Sequence, residues 1–324
     1  MENNKLAIAI PTYNRHLILK ENLLRMLPEL REYNIPVYIS DDSDNNYTRD
    51  MISEFKIQYD NIQYHKNDPS LGHDKNCLKT LQIPNEEYIW YLGDSQVIKD
   101  KGIKVILDLI EKNTFDFILV NAENRNVDVD SQCYRDANEF FVDLAWHATL
   151  TGITIYRKEI LFRKDYNKYI GSNFIQLGII LEELLENINA LCWLNNKLIY
   201  VNRNKAESYW SKEIFKVFSE DWFDFINDLP QEYVWENKLQ VLKSHSHNTG
   251  IFKFRNYISL RKRNILNLKS YFKFNNKLKL TTTLNIYAVF IVALIPRLIL
   301  LSVHRILNNL QLGSRKLLKR RSRG

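Results

Sequence analysis

Leu6-Ala7-Ile8-Ala9-Ile10-Pro11-Thr12-Tyr13-Asn14-Arg15 decides the fold when set beside Val37-Tyr38-Ile39-Ser40-Asp41-Asp42, which follows after a helix-length interval. Each is a short apolar run of strand type that stops abruptly in polar residues, as a buried parallel strand does where it delivers a loop to the carboxyl edge of a sheet. Ligands bind at that edge. Pro11 cannot donate to a sheet ladder, and Thr12, Tyr13 and Asn14 set a hydroxyl, a phenol and an amide in the turn that follows. The second run ends on two adjacent carboxylates. Paired acids there suit hydrogen bonding to a base or ribose, or holding a cation that bridges phosphates. The stretch Asp41-Asp42-Ser43-Asp44-Asn45-Asn46 equally has the composition of a solvated turn.

Between the two runs, Leu17, Leu19, Leu23, Leu24, Leu27 and Leu30 recur at helical spacing before a break at 34–36, so the opening unit is a βαβ crossover. The pattern then predicts a helix over 48–59, a strand over 62–65, a helix over 75–81, a strand over 88–92, a helix over 102–112 and a strand over 115–121. Five strands alternating with helices argue for a doubly wound, mainly parallel α/β sheet. Beyond 121 the periodicity weakens, giving a helix over 136–147, a strand over 152–157, a helix over 173–187 and a strand over 198–202. The stretch 210–243 reads as mostly helical, with Trp210, Phe215, Phe218, Trp222 and Phe225 available for packing.

Four blocks stand out in order: I-A-I-P-T-Y-N-R over 8–15, I-S-D-D-S over 39–43, N-D-P-S-L-G-H-D-K-N over 67–76 and W-Y-L-G-D over 90–94. Together they resemble the nucleotide-sugar domain of the family 2 glycosyltransferases, which have the GT-A fold. The resemblance covers residues 5–125 and fades after that. It implies a nucleotide-sugar-binding half over 1–125 and an acceptor-side half over 126–209. It also implies that Pro11, Thr12, Tyr13, Asn14 and Arg15 line the base and ribose pocket, with Asp41 and Asp42 beside them. Asn67, Gly72, Asp74 and Lys75 fall where the family's third block contacts the nucleotide. Lys75 takes the place of a frequent arginine, and is as readily a surface lysine on a short helix.

The fourth block departs from the pattern. Family members usually carry Asp-x-Asp here to hold the Mg²⁺ or Mn²⁺ that bridges the diphosphate, whereas this chain has Asp94-Ser95-Gln96. Mg²⁺ often relies on one carboxylate plus phosphates and water, so Asp94 remains a metal-ligand candidate. Stabilisation of the leaving group by Lys75, Arg15 or a helix N-terminus stands as an alternative, and so does a site that has lost activity. For the base that takes the acceptor proton, the family's spacing points first to Glu182, with Glu183 beside it. Aligned instead with the start of the helix over 173–187, it falls near 173–176, where the usual carboxylate is missing. Asp143 and His147, i and i+4 on one possible helix face, are further candidates. Glu182 and Glu183 also fit the solvated face of an amphipathic helix.

Charge divides the chain. The net +7 combines an acidic first 236 residues, with 26 basic against 38 acidic side chains, and 88 further residues that hold 19 Lys or Arg and no acid. A basic extension over 210–280 reads as amphipathic helices, and 281–324 as an apolar and basic membrane-associating tail. Within the tail, 286–303 carries a single charge, Arg297, just after Pro296. A spanning helix needs about 20 apolar residues, and a central arginine costs roughly 2.5–3.5 kcal/mol, so a helix lying in the interface or a kinked one fits better than a span. A buried helix at a subunit or domain interface is the other reading. Arg315-Lys316-Leu317-Leu318-Lys319-Arg320-Arg321 adds attraction to an anionic leaflet. Nucleic acid accounts for the charge but not for the adjoining apolar run, and is not expected as a partner.

Cys77, Cys133 and Cys192 lie far apart, which excludes a disulfide framework and a zinc spacing and fits a reducing compartment. The residues before the first strand lack the pattern of a secretory signal. No Gly-x-Gly-x-x-Gly opens the first helix, which argues against a dinucleotide oxidoreductase. The resemblance thus implies a glycosyltransferase, inverting, that moves a sugar from a nucleoside diphosphate sugar, UDP-linked foremost, to a lipid-linked glycan acceptor in O-antigen or capsule assembly. Its expected place is the cytoplasmic face of a bacterial inner membrane. Ser95 and Gln96 suggest the alternative, a catalytically weakened nucleotide-sugar- or glycan-binding partner in an assembly complex.

Overall fold

The structure, a computed structural model, describes residues 5–186, 190–202, 204 and 208–302. Among them, nine strands form one sheet: β1 (Leu6–Thr12), β2 (Val37–Asp41), β3 (Ile62–Lys66), β4 (Tyr88–Tyr91), β5 (Gln96–Ile98), β6 (Phe117–Ala122), β7 (Gln132–Tyr134), β8 (Thr154–Arg157) and β9 (Leu191–Val201). Their order is β3-β2-β1-β4-β8-β6-β9-β5, with β7 against β9. The helices that pack on this sheet begin with α1 (His16–Glu32), α2 (Tyr47–Phe55), α3 (His73–Gln82), α4 (Gly102–Lys112), α5 (Ala137–Ala148) and α6 (Ile175–Glu183).

β1 is central because Leu6, Ala7, Ile8, Ala9 and Ile10 are apolar on both faces, and all five are buried. It pairs in parallel with β2, Thr12 opposite Asp41, and with β4, Ala9 opposite Tyr91. Those registers bring the polar ends of three strands to one edge. In α1, Leu19, Leu23, Met26, Leu27 and Leu30 form the buried stripe. Asn34, in the left-handed region at φ 49°, turns the chain after this helix, and Ile35 N–H closes onto Leu30 O at 3.0 Å.

The expected parallel sheet is present in β3-β2-β1-β4, but the next neighbour differs. β8 runs antiparallel to both β4 and β6 and separates them. An apolar run buried on both faces carries no information about its direction, so periodicity alone cannot place β8. The predicted strand at 198–202 is the far end of the eleven-residue β9, whose register against β6 shifts after Val120. β5 and β7, three residues each, are too short to show an alternation. Among the described residues, the helix expected over 173–187 is α6.

The chain divides into two compact units, Met1–Ser208 with Asp224–Val241, and Tyr209–Phe223 with Leu242–Gly324. Along this part of the chain lie α7 (Trp222–Asn227), α8 (Trp235–Thr249), α9 (Phe254–Lys262), α10 (Leu268–Thr281) and α11 (Ile286–Leu294). The second unit has its own core, in which Phe215, Phe252, Tyr257, Leu260, Tyr271, Leu278, Val289 and Val292 are buried together. Asn267 and Ser270 cap α10 reciprocally. The apolar stretch expected over 286–303 is interrupted at 295–296, where α11 ends after nine residues, about 14 Å of helix. Arg261 donates to Ile295 O at 2.8 Å, and Arg297 to Lys262 O at 2.7 Å, so both guanidinium groups fasten this break to the end of α9. No helix among the described residues is long and apolar enough to cross a membrane. The basic run at 315–323 lies outside the described residues.

Candidate active site

At the carboxyl ends of β1 and β4, Asp94 meets residues from both sides of the first loop. Thr12 Oγ1 donates to Asp94 Oδ2 at 3.2 Å, and Arg15 Nη1 to Asp94 Oδ1 at 3.1 Å. Asn22, from the buried stripe of α1, donates to the Asp94 carbonyl at 2.8 Å and accepts at 2.8 Å from Asn202, which follows β9. An amide at a helical core position is the signal by which Asn22 is visible in the sequence. Arg15 is the N-cap residue of α1, makes no side-chain cap bond there, and the first turn of the helix carries no acid.

Asp41 and Asp42 turn to different partners. Asp41, fully buried, accepts from Ser43 N–H at 3.0 Å and from the Tyr64 hydroxyl at 2.8 Å, with Lys66 Nζ 3.6 Å away. Asp42 accepts four bonds from the loop before α3: Leu71 N–H at 2.7 Å, Gly72 N–H at 2.9 Å, Ser70 Oγ at 2.7 Å and Asn67 Nδ2 at 3.1 Å. A carboxylate has about four lone-pair positions, and here they meet chain donors, so the role this geometry gives Asp42 is to shape the loop. Asn67 also donates to Asn76 at 2.9 Å and accepts from Lys79 at 2.6 Å. Gly72, at φ 80°, allows the sharp entry into α3.

The other predicted residues spread along this edge. Pro11 is half-buried, Tyr13 is 54% exposed, and Asn14, at φ 53°, donates its N–H to Ser43 Oγ at 2.8 Å. Lys75 is exposed on the first turn of α3. Asp74 beside it is buried and accepts from Gly171 N–H at 2.7 Å and Asn173 N–H at 3.0 Å, tying α3 to the loop that enters α6.

Ser95 and Gln96 occupy the rest of the fourth block. Gln96 is buried; its Oε1 accepts from Gly93 N–H at 2.8 Å and its Nε2 donates to Thr151 O. A Cβ on Gly93 would stand 2.8 Å from Gln96 Oε1, and Gly152, at φ +92°, packs against the same amide, so two glycines make the room it fills. Nothing in the block pattern signals that lock. Among the described residues, no group of three or more His, Cys, Asp or Glu side chains is placed to hold a metal ion.

The base candidates lie in other surroundings. Glu182 accepts from the Tyr169 hydroxyl at 2.8 Å and pairs with Lys168 Nζ at 2.6 Å near the carboxyl-terminal end of α6, about two turns beyond the end tied to Asp74. Burial opposes its ionisation, but donation from Lys168 and Tyr169 and the charges of Lys168 and Lys164 outweigh it and hold the carboxyl below its ordinary range. A carboxylate stabilised in this way is a weak base. Glu183 is buried against Tyr166, with Lys164 and Arg163 near. Asp143 accepts from Tyr134 at 2.9 Å. His147 is fully buried between Trp146 and Trp193, its Nε2 3.2 Å from Val120 O. Burial above all, with the nearby charge of Arg125, lowers its pKa to about 3, so it stays neutral.

The architecture defines an α/β protein of the class that binds ligands where parallel strands end. Residues 7–178 match the family model described as Glycosyl transferase family 2, and the chain belongs to that family. It is 30% identical over 104 residues to the abequosyltransferase RfbV of Salmonella typhimurium, a match spanning 31% of each chain. It is 20% identical over 222 residues to the GalNAc(5)-diNAcBac-PP-undecaprenol beta-1,3-glucosyltransferase of Campylobacter jejuni, spanning 66% of this chain and 64% of that one. The chain thus covers less than two thirds of the length of these two relatives. Its fold resembles that of S. aureus TarS 1-349 solved with UDP-GlcNAc, at a TM-score of 0.57 and 17% identity over 86% of this chain and 81% of that one. It also resembles the mannosyltransferase PcManGT of Pyrobaculum calidifontis solved with GDP-Man and Mn²⁺, at 0.52 and 10% identity over 91% and 88%. The fold is therefore of the GT-A type.

Two outcomes follow from this geometry. Asp42→Asn sets an amide N–H₂ against N–H and O–H donors, and the urea midpoint should fall by the equivalent of about 1–3 kcal/mol. His147 acts through linkage. The folded chain refuses a proton down to about pH 3 whereas the unfolded chain accepts one near 6.5, so stability present above pH 6.5 is lost as the pH falls toward 3. The loss approaches about 1.4 kcal/mol per pH unit within that window. Urea titrations at pH 7 and pH 5 should show it, and His147→Gln should flatten it.

Proposed function

We propose that this chain is a glycosyltransferase that moves a sugar from a nucleoside diphosphate sugar, UDP-linked first among the donors, to a hydroxyl of a lipid-linked glycan in bacterial polysaccharide assembly, by inverting transfer. The observation that carries this reading is the meeting of Thr12, Arg15 and Asp94 at the ends of β1 and β4, in a chain of this family. The UDP preference is supported by the fold shared with a protein solved with UDP-GlcNAc. The lipid-linked acceptor is supported by the Campylobacter relative, whose name specifies an undecaprenol-linked glycan. In this reading the 67–72 loop, shaped by Asp42, and the exposed Tyr13 and Lys75 receive the nucleotide. Glu182, held by Lys168 and Tyr169, organises the acceptor side.

The second unit supports attachment to the cytoplasmic face of an anionic membrane. Along α11, Val289, Val292 and Ala293 face the core, while Tyr287, Ile291 and Leu294 recur at i, i+4, i+7 on an exposed stripe that Leu298 and Ile299 extend. Phe272 of α10, exposed and in ring contact with Phe290, adds to it, and Lys269 and Lys273 lie on the same helix. An apolar stripe beside basic residues suits an interface of acyl chains and anionic head groups.

The enzymatic reading is tested with the full chain, UDP-, GDP-, CDP- and dTDP-sugars, and undecaprenyl-diphosphate glycans presented in bilayers. One sugar added by mass, with release of the nucleoside diphosphate, is expected; absence of transfer and of any nucleotide binding would end it. Binding without transfer across the panel would favour the non-catalytic partner, the reading that Gln96 at an acidic position suggests. For the membrane, co-sedimentation with phosphatidylglycerol vesicles should fall about tenfold or more in the Phe272→Asp, Ile291→Asp double variant, and little or no binding should be seen with phosphatidylcholine alone.

A further inference from the structure

A nucleoside diphosphate brings several negative charges to the edge where β1 and β4 end, and some cation must face them. A divalent ion held there by protein needs oxygen ligands whose lone pairs point outward, in practice at least one uncommitted carboxylate and usually a neighbour to assist it. The fourth block does not present such a set. Gln96 is buried with both ends of its amide bonded, to Gly93 N–H and to Thr151 O, and Gly93 and Gly152 are the residues that leave it room. Its oxygen faces the protein, not the edge. Asp94 meets Arg15 on Oδ1 and Thr12 on Oδ2, and an ion placed on that carboxylate would stand next to a guanidinium 3.1 Å from Oδ1. Like charges so close oppose one another.

The same contacts describe a different arrangement. A guanidinium has five N–H donors in a rigid fork, and the contact of Nη1 with Asp94 holds one arm of that fork at this edge. Asn22 in turn fixes the Asp94 backbone through its carbonyl, and Asn202 fixes Asn22. Arginine is suited to phosphate oxygens, which it can meet two at a time. We propose that the cation facing the diphosphate in this chain is the guanidinium of Arg15, oriented by Asp94, and that nucleoside diphosphate binding requires no divalent metal ion. Asp94 is then a positioning residue. This rests on the nucleotide-sugar reading above and concerns the same edge.

The test uses the full chain and free nucleoside diphosphates, UDP first and then GDP, CDP and dTDP. Calorimetric affinities are measured at one ionic strength in EDTA, in Mg²⁺ and in Mn²⁺. In parallel, the electron paramagnetic resonance signal of free Mn²⁺ is followed with protein alone, nucleotide alone and both together. The expected result is an affinity for the bound nucleotide that agrees within about twofold in all three conditions. The Mn²⁺ signal should be lowered by protein and nucleotide together no more than by nucleotide alone. Arg15→Ala should weaken binding at least tenfold in EDTA, with Arg15→Lys recovering part of the loss. The wild-type series stands whether or not Arg15→Ala folds. Binding that appears only with Mg²⁺ or Mn²⁺, or a Mn²⁺ signal that protein and nucleotide suppress jointly, overturns the metal-free assignment and leaves the transferase reading in place. No binding of any of the four nucleotides, with or without metal, overturns both.

Discussion

The parallel pairing of β1 with β2 on one side and β4 on the other is the constraint on which the rest depends. Thr12 lies opposite Asp41 and Ala9 opposite Tyr91, so the polar ends of three strands are brought to one edge without any contact between their side chains being needed to place them. A slip of one residue in either pairing would turn each side chain of the shifted strand to the other face. In β1, buried on both faces, the small Ala7 and Ala9 alternate with Ile8 and Ile10, so such a slip would exchange small for large side chains against close-packed neighbours. The register thus converts a hydrophobic pattern into the position of a chemical group: Asp94 stands beside Thr12 because Ile8 to Ile10 have nowhere else to go.

Having brought acids into a buried edge, the fold must supply partners for them, since an unpaired buried charge is among the costliest features a protein can carry. Adjacent residues of an extended segment point to opposite faces, which explains why Asp41 and Asp42, neighbours in sequence, serve different loops. Asp41 secures β3 through Tyr64 and Lys66, and Asp42 gathers the 67–72 loop through four donors. The same rule operates away from the edge. Asp116, fully buried, lies 3.5 Å from Arg157 and 3.8 Å from Arg163, and Glu183 shares Arg163 with it. Breaking such a pair typically costs about 3–5 kcal/mol, so these carboxylates tie β6 and α6 to the segment that follows β8 even where they touch no ligand.

These differences explain what the sequence made legible. β1, β2 and α1 were readable because uninterrupted apolar runs and a leucine stripe each have one interpretation. β8 was not, because a doubly buried run has no direction. The positions of Asp41, Asp42 and Asp94 at one edge followed from strand ends, but their partners did not: Leu71, Gly72, Asn22 and Gln96 enter only once loops close over tens of residues. Helical spacing puts Glu182 on a face of α6 without saying that Lys164, Lys168 and Tyr169 stand opposite. In the apolar run over 286–303 Pro296 marks the place of a break, but the contacts of Arg261 and Arg297 that hold its two ends are not legible there. Pattern reveals which residues are buried; it does not reveal which donors meet which acceptors.

Gln96 shows how far a single replacement can be worked into a fold. Trp90 of β4 donates through Nε1 to Gly152 O at 2.8 Å, and Gln96, which opens β5, donates to the adjacent Thr151 O, so both strands are joined to the turn before β8 at successive carbonyls. An ionised carboxylate at position 96 would present only acceptors to Thr151 O and lose that join. It would remain able to accept from Gly93 N–H, but would bring an unneutralised charge into a buried place. The glycines at 93 and 152 fit the amide in the same way, each leaving space where a Cβ would collide with it. Here the amide closes the turn, and Asp94, paired with Arg15, is the one carboxylate of the block.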